Sequence, residues 1–352
     1  MDEDRALEAG VESLGHSAGI VGSASSGLAC LCETGRVTVA TSTDDERSPL
    51  APAEPPTLEV ILVSSTGARE LLRDCLASLE RHPLRQGEMS VWVVDNASAD
   101  GTADMVRAEF PLVRLEALDW NSGFCIANNI TLRVSTAPYV LLLNPDTEVF
   151  EGSLDHMVDL MRERPDVGIA GCRLVLRDGS FDHAAKRSFP TPVSALAHFL
   201  GIGRRSDAPS SLAQYRASEV GEHDAGEVDA VNGAFMLVRP ALEQVGLLDE
   251  RYWLYMEDLD SCYRFKQAGW VVWYDGRVSV IHVKGGTTVR ELRRRRRHRG
   301  LRHNLAFHRS MGRFYRKFYS GQNPLDVAVY LAIGAKFAIA AVRSAIARRS
   351  LA

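Results

Sequence analysis

The sequence lacks three things: a long uncharged apolar run, clustered cysteines and a basic glycine-rich loop. Each absence removes a class of protein. The most apolar stretch, PLDVAVYLAIGAKFAIAAVRSAIARRS (324–350), is cut by Lys336 and Arg343. Its uncharged pieces fall short of the roughly 20 residues that span a bilayer, so a helix lying in the interface fits better than a spanning one. The opening MDEDRALEAG is acidic and has no apolar core of the kind a secretory signal carries. The six cysteines (30, 32, 75, 125, 172 and 262) form no CxxC pair and no zinc-like spacing. Reduced thiols in a cytoplasmic compartment are therefore expected. After the first predicted strand, SSTGARELL offers only Gly67 and Arg69, which argues against the phosphate loop of a nucleotidyltransferase. No internal repeat is present.

What is there is segregated by charge. The 352 residues carry a formal net charge of −4, but residues 1–55 hold 3 basic and 10 acidic side chains. Residues 56–285 hold 22 and 33, and residues 286–352 hold 16 and 2. Three regions follow from this and from composition. Residues 1–55, rich in Gly, Ser, Ala and Thr, are expected to be a disordered leader, because such a composition cannot bury enough surface to offset chain entropy. Residues 56–285 read as a folded domain. Residues 286–352 read as a basic, helical C-terminal module that meets something anionic. Cutting the chain after about residue 288 is expected to abolish vesicle binding and to spare donor binding, because Asp95, Asp146 and Asp258 remain.

Within 56–285 the apolar pattern alternates between strand and helix periods. LEVILVS (58–64), MSVWVVDN (89–96), LVRLEAL (112–118) and YVLLLN (139–144) read as strands. Helices are expected over 68–82, 98–110 and roughly 123–135. Such alternation predicts right-handed βαβ units and a mixed, mainly parallel α/β sheet flanked by helices. Ligands sit beyond the carboxyl ends of such strands, where Ser64, Asp95 and Asp146 fall. Further on, VGIAGCRLVL (167–176) is a strand, and a Pro/Ala-rich stretch to about 224 has no assignable pattern. EVDAVNGAFMLVRP (227–240) reads as two short strands, 258–269 as a helix, and WVVWYDGRVSVIH (270–282) as two final strands.

The segments VVDNASADGT, NSGFCIANN, LLLNPDT, NGAFMLVRP, DERYWLYMEDLDSCYRFKQAGW and IHVKGGTT occur in this order. Together they resemble family-2 inverting glycosyltransferases of the Rossmann-like GT-A fold. Among these, the chain is most similar to rhamnosyltransferases that use dTDP-L-rhamnose. The resemblance covers about residues 58–320. It implies a nucleotide-sugar donor, a divalent Mg²⁺ or Mn²⁺ ion, and a glycan or polyprenyl-diphosphate-linked acceptor in cell-wall or polysaccharide synthesis. A UDP-dependent galactofuranosyl- or other hexosyltransferase of the same fold is the alternative.

The residue chemistry is compatible with these roles. Asp95 can accept a hydrogen bond from a pyrimidine imide N–H, or it can cap the next helix. Asn121, Gly123 and Phe124 precede a helix whose N-terminus suits phosphate, with Asn128 further in; a structural loop is the other reading. Asp146 matches the second acid of the family's DxD-type motif, with Asn144 in the first place. A hard divalent ion favours such carboxylate oxygen and needs few protein ligands beside a diphosphate. By resemblance His282 helps hold metal or diphosphate, and Lys284 adds a phosphate contact. YMEDLD (255–260) crowds three acids at a helix start. By resemblance Asp258 is the general base, Glu257 the fallback, and Asp260 orients the helix. Arg187, before Phe-Pro, is expected to touch donor or acceptor. Ser65 and Thr66 stand where the family carries an aromatic residue near the base.

The tail interleaves arginine with aromatic residues over 290–319 and includes the run Arg293 to Arg297. With an acidic nucleotide site upstream, nucleic acid is not the expected partner. An Arg-rich segment before an interfacial helix instead predicts a protein held peripherally on anionic lipid at the inner face of the cell membrane. Val329, Ile333, Phe337 and Ala340 are the expected apolar contacts.

Overall fold

The computed structural model describes residues 55–190, 219–240, 242–283, 301–321 and 325–349. The expected leader (apart from its last residue), Lys284, the arginine run and most of the Pro/Ala-rich stretch lie outside these residues.

The first half follows the periodicity of the sequence: β1 (Leu58–Ser64), α1 (Arg69–Arg81), β2 (Met89–Asn96), α2 (Thr102–Glu109), β3 (Arg114–Leu118), α3 (Phe124–Leu132) and β4 (Tyr139–Leu143). β4 is buried along its whole length, which is why it reads as an uninterrupted apolar run rather than an alternating one. α1 turns Leu71, Leu72, Cys75, Leu76 and Leu79 into the core at helical spacing.

The second half contains β5 (Thr147–Val149), α4 (Ser153–Glu163), β6 (Val167–Val175), β7 (Lys186–Arg187), β8 (Ala225–Glu227), β9 (Ala230–Val231), β10 (Phe235–Val238), α5 (Leu242–Val245), α6 (Glu257–Gln267) and β11 (Val271–His282). α7 (Leu301–Phe318) and α8 (Asp326–Arg349) follow. The main sheet runs β3-β2-β1-β4-β10-β6-β11-β5, with β8 pairing β11. It is parallel through β3, β2, β1 and β4. It then turns mixed, because β10 lies antiparallel between β4 and β6.

Two segments depart from the sequence reading. Residues 271–282 form one strand, not two; its register against β6 shifts between Asp275 and Ser279. Gly276 lies in this stretch and makes room for the neighbouring 222–224 backbone, since a Cβ on it would lie 2.3 Å from the Glu222 carbonyl. β5 and α4 are additional to the elements that the sequence pattern predicts.

α7 is part of the core. Phe314 is buried in the main hydrophobic cluster, and Ser310 Oγ donates to the Leu254 carbonyl at 2.9 Å. Losing a buried Phe costs about 3–5 kcal/mol, so cutting the chain near residue 288 strips the folded core as well as the tail. α8 packs on α7 through Val329 and Ile333 against Tyr315. These two residues therefore do not face outward, as the sequence reading had them. Val327, Leu331, Ile339 and Val342 are exposed instead. No described helix is long and apolar enough to cross a membrane.

Candidate active site

Strand register brings the site to one edge of the sheet. Ser64 and Asp95 are paired across β1 and β2, and Leu62 pairs Leu143 just before Asn144. On the far side of β4, Phe235 of β10 pairs Leu143, and Asn144 N donates to the Ala234 carbonyl at 3.0 Å. Gly233 N then donates to Asp258 Oδ2 at 3.3 Å. A continuous chain of contacts thus leads from the ends of β1, β2 and β4 to the start of α6.

Asp95 is free of the capping role that its position allowed. α2 starts at Thr102 with Gly101 as its N-cap, well beyond Asp95. Asp95 is 3% exposed, and its Oδ1 is buried without a hydrogen-bond partner among the described residues. Burial pushes its carboxyl above the ordinary range, against hydrogen bonding from Ser98 to the carboxylate. A buried orphan acceptor is costly unless a ligand supplies the donor. Thr66 Oγ1 accepts from Ala99 N at 3.0 Å and Gly67 N donates to Asp100 Oδ2 at 2.6 Å, so the loops after β1 and β2 are tied together beside Asp95. The Ser65 carbonyl accepts from Ala68 N, closing the first of these loops.

The loop before α3 is fixed from both sides. Asn96 Oδ1 accepts from Ser122 N at 2.7 Å, and its Nδ2 donates to the Gly123 carbonyl at 3.0 Å. Asn121 Oδ1 accepts from Gly123 N at 3.1 Å. Gly123 has φ +84°, and a Cβ there would lie 2.6 Å from the Trp253 carbonyl. That carbonyl accepts from Phe124 N at 2.8 Å, which uses the first amide of α3 inside the protein. Asn128 Nδ2 donates to the Phe124 carbonyl of its own helix. Asn129, by contrast, brackets the next segment, donating to the Leu248 carbonyl and accepting from Leu248 N.

Asp146 and His282 meet across β5 and β11. His282 pairs Thr147 in register, and the Asp146 carbonyl accepts from Val283 N at 2.7 Å. His282 Nε2 lies 3.7 Å from Asp146 Oδ1, while its Nδ1 is 3.0 Å from Asp182 Oδ2. Asp182 is buried and was not found from the sequence; only its meeting with His282, 100 residues away, gives it a role. An imidazole fixed by a carboxylate on one nitrogen, with its other nitrogen beside a second carboxylate, is an arrangement that could hold a metal ion. Among the described residues no group of three His, Cys, Asp or Glu side chains forms a metal cage.

Asp258 and Glu257 open α6 after two residues in the left-handed region, Tyr255 (φ 69°) and Met256 (φ 72°). Each costs on the order of 1–3 kcal/mol, strain of the kind held at functional turns. Arg187 Nη2 bonds both Asp258 Oδ2 and the Val231 carbonyl. Asp258 Oδ1 accepts from Leu259 N at 2.8 Å. Glu257 is buried with Oε2 unpartnered among the described residues. Burial, and then the neighbouring Asp258, push its carboxyl up to about 8. The two adjacent acids are therefore unlike: one is paired with a guanidinium, and the other is buried with its carboxyl pushed up.

A profile of glycosyl transferase family 2 matches residues 60–219, from β1 past β7. The chain is 31% identical over 215 residues to an N-acetylglucosaminyl-diphospho-decaprenol L-rhamnosyltransferase of Mycobacterium tuberculosis, in strains CDC 1551 and H37Rv. That match covers 58% of this chain and 69% of the relative. A low-salt glycan biosynthesis hexosyltransferase, Agl10 of Haloferax volcanii, is 27% identical over 152 residues, 42% of this chain and 44% of that one. Among solved structures, a mannosyltransferase from Pyrobaculum calidifontis in complex with GDP-Man and Mn²⁺ superposes with a TM-score of 0.49 at 18% identity, covering 86% of this chain and 77% of that one.

Proposed function

The chain belongs to glycosyl transferase family 2, and we propose that it moves a sugar, with inversion, from a nucleotide donor to a membrane-borne acceptor. The observation that carries this reading is the start of α6, where Asp258 is oriented by Arg187 and Gly233 at the edge that also holds Asp95 and Asp146.

Asp95 accepts the imide N–H of a pyrimidine base, which gives its buried Oδ1 the missing donor. The acceptor hydroxyl attacks the anomeric carbon while Asp258 takes its proton. One C–O bond forms as the bond to the nucleoside diphosphate breaks, and the electron pair leaves with the diphosphate. A single displacement inverts the anomeric centre. Asp146 and His282 are the residues that would hold Mg²⁺ or Mn²⁺, with Asp182 fixing the imidazole. When bound there, the ion supplies positive charge against the departing diphosphate. Arg187 orients Asp258, and Glu257, the fallback base, sits next to it in sequence with its carboxyl pushed up by burial.

L-rhamnose from dTDP-L-rhamnose is the favoured donor, and a polyprenyl-diphosphate-linked sugar the favoured acceptor. The name of the mycobacterial relative supports this chemistry. An acceptor of that kind places the reaction at the inner face of a membrane. The excess of 16 basic over 2 acidic side chains after residue 285 and the outward row Val327, Leu331, Ile339 and Val342 supply the charge and the apolar surface for such docking. A screen of dTDP- and UDP-sugars, scored by nucleoside diphosphate release with a polyprenyl-diphosphate-linked sugar as acceptor, tests the reading. Turnover with dTDP-L-rhamnose is expected. Turnover with UDP-hexoses alone overturns the donor assignment, and no turnover with any donor overturns the function.

A further inference from the structure

One cation from α7 reaches the helix that carries the base. Lys317 Nζ donates to Asp260 Oδ1 at 2.6 Å and to Asp249 Oδ2 at 2.8 Å. Asp260 is fully buried, lies two residues beyond Asp258 on α6, and accepts from Arg264 Nε at 2.7 Å with its other oxygen. Asp249 opens the segment that passes through Trp253, whose carbonyl holds the α3 loop, to the left-handed pair Tyr255 and Met256. Burial works against the charge on Asp249, but hydrogen bonds from Arg251 and Lys317 outweigh it and hold its carboxyl well below the usual range. A single ammonium group therefore ties together α7, the first turns of α6 and the segment leading into them.

Packing alone does not require this link. Phe314 and Ser310 already seat α7 against the core and the 249–256 segment. Buried ion pairs are poor devices for raw stability compared with apolar residues of equal size, and their best-attested use is to select one arrangement. All of these contacts lie beyond residue 219, where the family match ends.

We propose that Lys317 is a positioning residue for sugar transfer: by joining Asp260 to Asp249 it sets where α6 presents Asp258 to the acceptor hydroxyl. The inference rests on the reading of Asp258 as the base. Its test is steady-state transfer by the full chain, with the active nucleotide sugar as donor, in the wild type and in Lys317→Met, Lys317→Arg, Asp249→Asn and Asp258→Asn. Lys317→Met is expected to keep the donor KM within about twofold and to lose about 10²-fold in kcat, the cost of misplacing a reacting group by roughly 1 Å. Lys317→Arg is expected to recover to within about fivefold of wild type, because a guanidinium can bridge both carboxylates. Wild-type kcat in a folded Lys317→Met overturns the proposal. If Lys317→Met does not fold, Asp249→Asn decides, since it leaves the bond to Asp260 in place. A roughly tenfold loss of kcat at unchanged donor KM then supports the proposal, and an unchanged kcat overturns it. Full transfer by Asp258→Asn, or none by the wild type, removes the reading beneath the inference. An inactive Asp258→Asn beside an unimpaired Lys317→Met removes the role of Lys317 alone.

Discussion

The two halves of the site are built by different means. On the β1–β4 side, functional groups are placed by strand register: Asp95 is where it is because β2 pairs β1 residue for residue. On the α6 side they are placed by side-chain contacts across long stretches of chain. Arg187 meets Asp258 over 71 residues, and Lys317 meets Asp260 over 57. Register is set by many backbone hydrogen bonds and tolerates the loss of any one side chain. An ion pair is set by two side chains and fails with either. Substitutions around Asp95 should therefore act on binding through the altered group alone, whereas substitutions around Asp258 should spread into geometry and rate.

The largest expected effect is loss of the ion proposed to lie between Asp146 and His282, which stand apart from both Asp95 and Asp258 in the contacts they make. Chelation with EDTA, or Asp146→Ala, is expected to lower turnover by about 10³-fold, as several kcal/mol of charge stabilisation implies, with the fold intact by circular dichroism. Full activity in EDTA would show that Asp146 and His282 hold no required ion.

A smaller effect concerns Glu257 and sharpens the contrast between the adjacent acids. Its folded pKa is raised to about 8 by burial and by Asp258, above the unfolded value. The stability it contributes is fully present below the unfolded pKa and is lost as pH rises through about 8. The wild-type melting temperature should thus fall, relative to that of Glu257→Gln, by on the order of 5 °C between pH 5 and pH 9. Melting curves that stay parallel across that range would mean that Glu257 is ionised in the folded protein throughout.

The smallest effect separates the tail into two parts. Vesicle flotation across a salt series should show a salt-sensitive component from the arginine run, within reach of the Debye length, and a weaker salt-insensitive one. Leu331→Ser and Ile339→Ser, on the exposed row of α8, should remove the second component and leave transfer to a soluble acceptor within about twofold. Failure of the full chain to float with anionic vesicles at low salt would rule out lipid docking. Binding that resists both high salt and alkaline carbonate would mean that the helix spans.

How much of this was legible in the sequence follows the same division. Strands β1, β2 and β4 and the acids at their ends announce themselves locally, because an apolar run followed by Asp or Asn carries its own placement. β5 is three residues long, too short for any period to show. α4 has a clear apolar face in Leu154, Met157, Val158 and Met161, but it follows directly on the short β5 and a turn, with no capping side chain to mark its start. Asp182 sits in an ordinary hairpin sequence, RDGSFDH, and becomes part of the site only through His282. Lys317 was one basic residue among sixteen in a segment read for its total charge. The inward face of α8 was misread because helical spacing gives two apolar sides, and only the docking of α7 decides which one is covered.

The central claim is that one half binds the donor and the other carries out the transfer. Donor affinity by calorimetry and kcat by nucleoside diphosphate release, measured side by side on Asp95→Ala and Asp258→Asn, test it most directly. Asp258→Asn is expected to bind the donor like the wild type and to lose about 10²–10⁴-fold in kcat. Asp95→Ala is expected to lose about 10–100-fold in donor affinity, the worth of a hydrogen bond to a charged group. An Asp258→Asn variant that turns over at the wild-type rate, or one that loses donor affinity as Asp95→Ala does, would contradict the division.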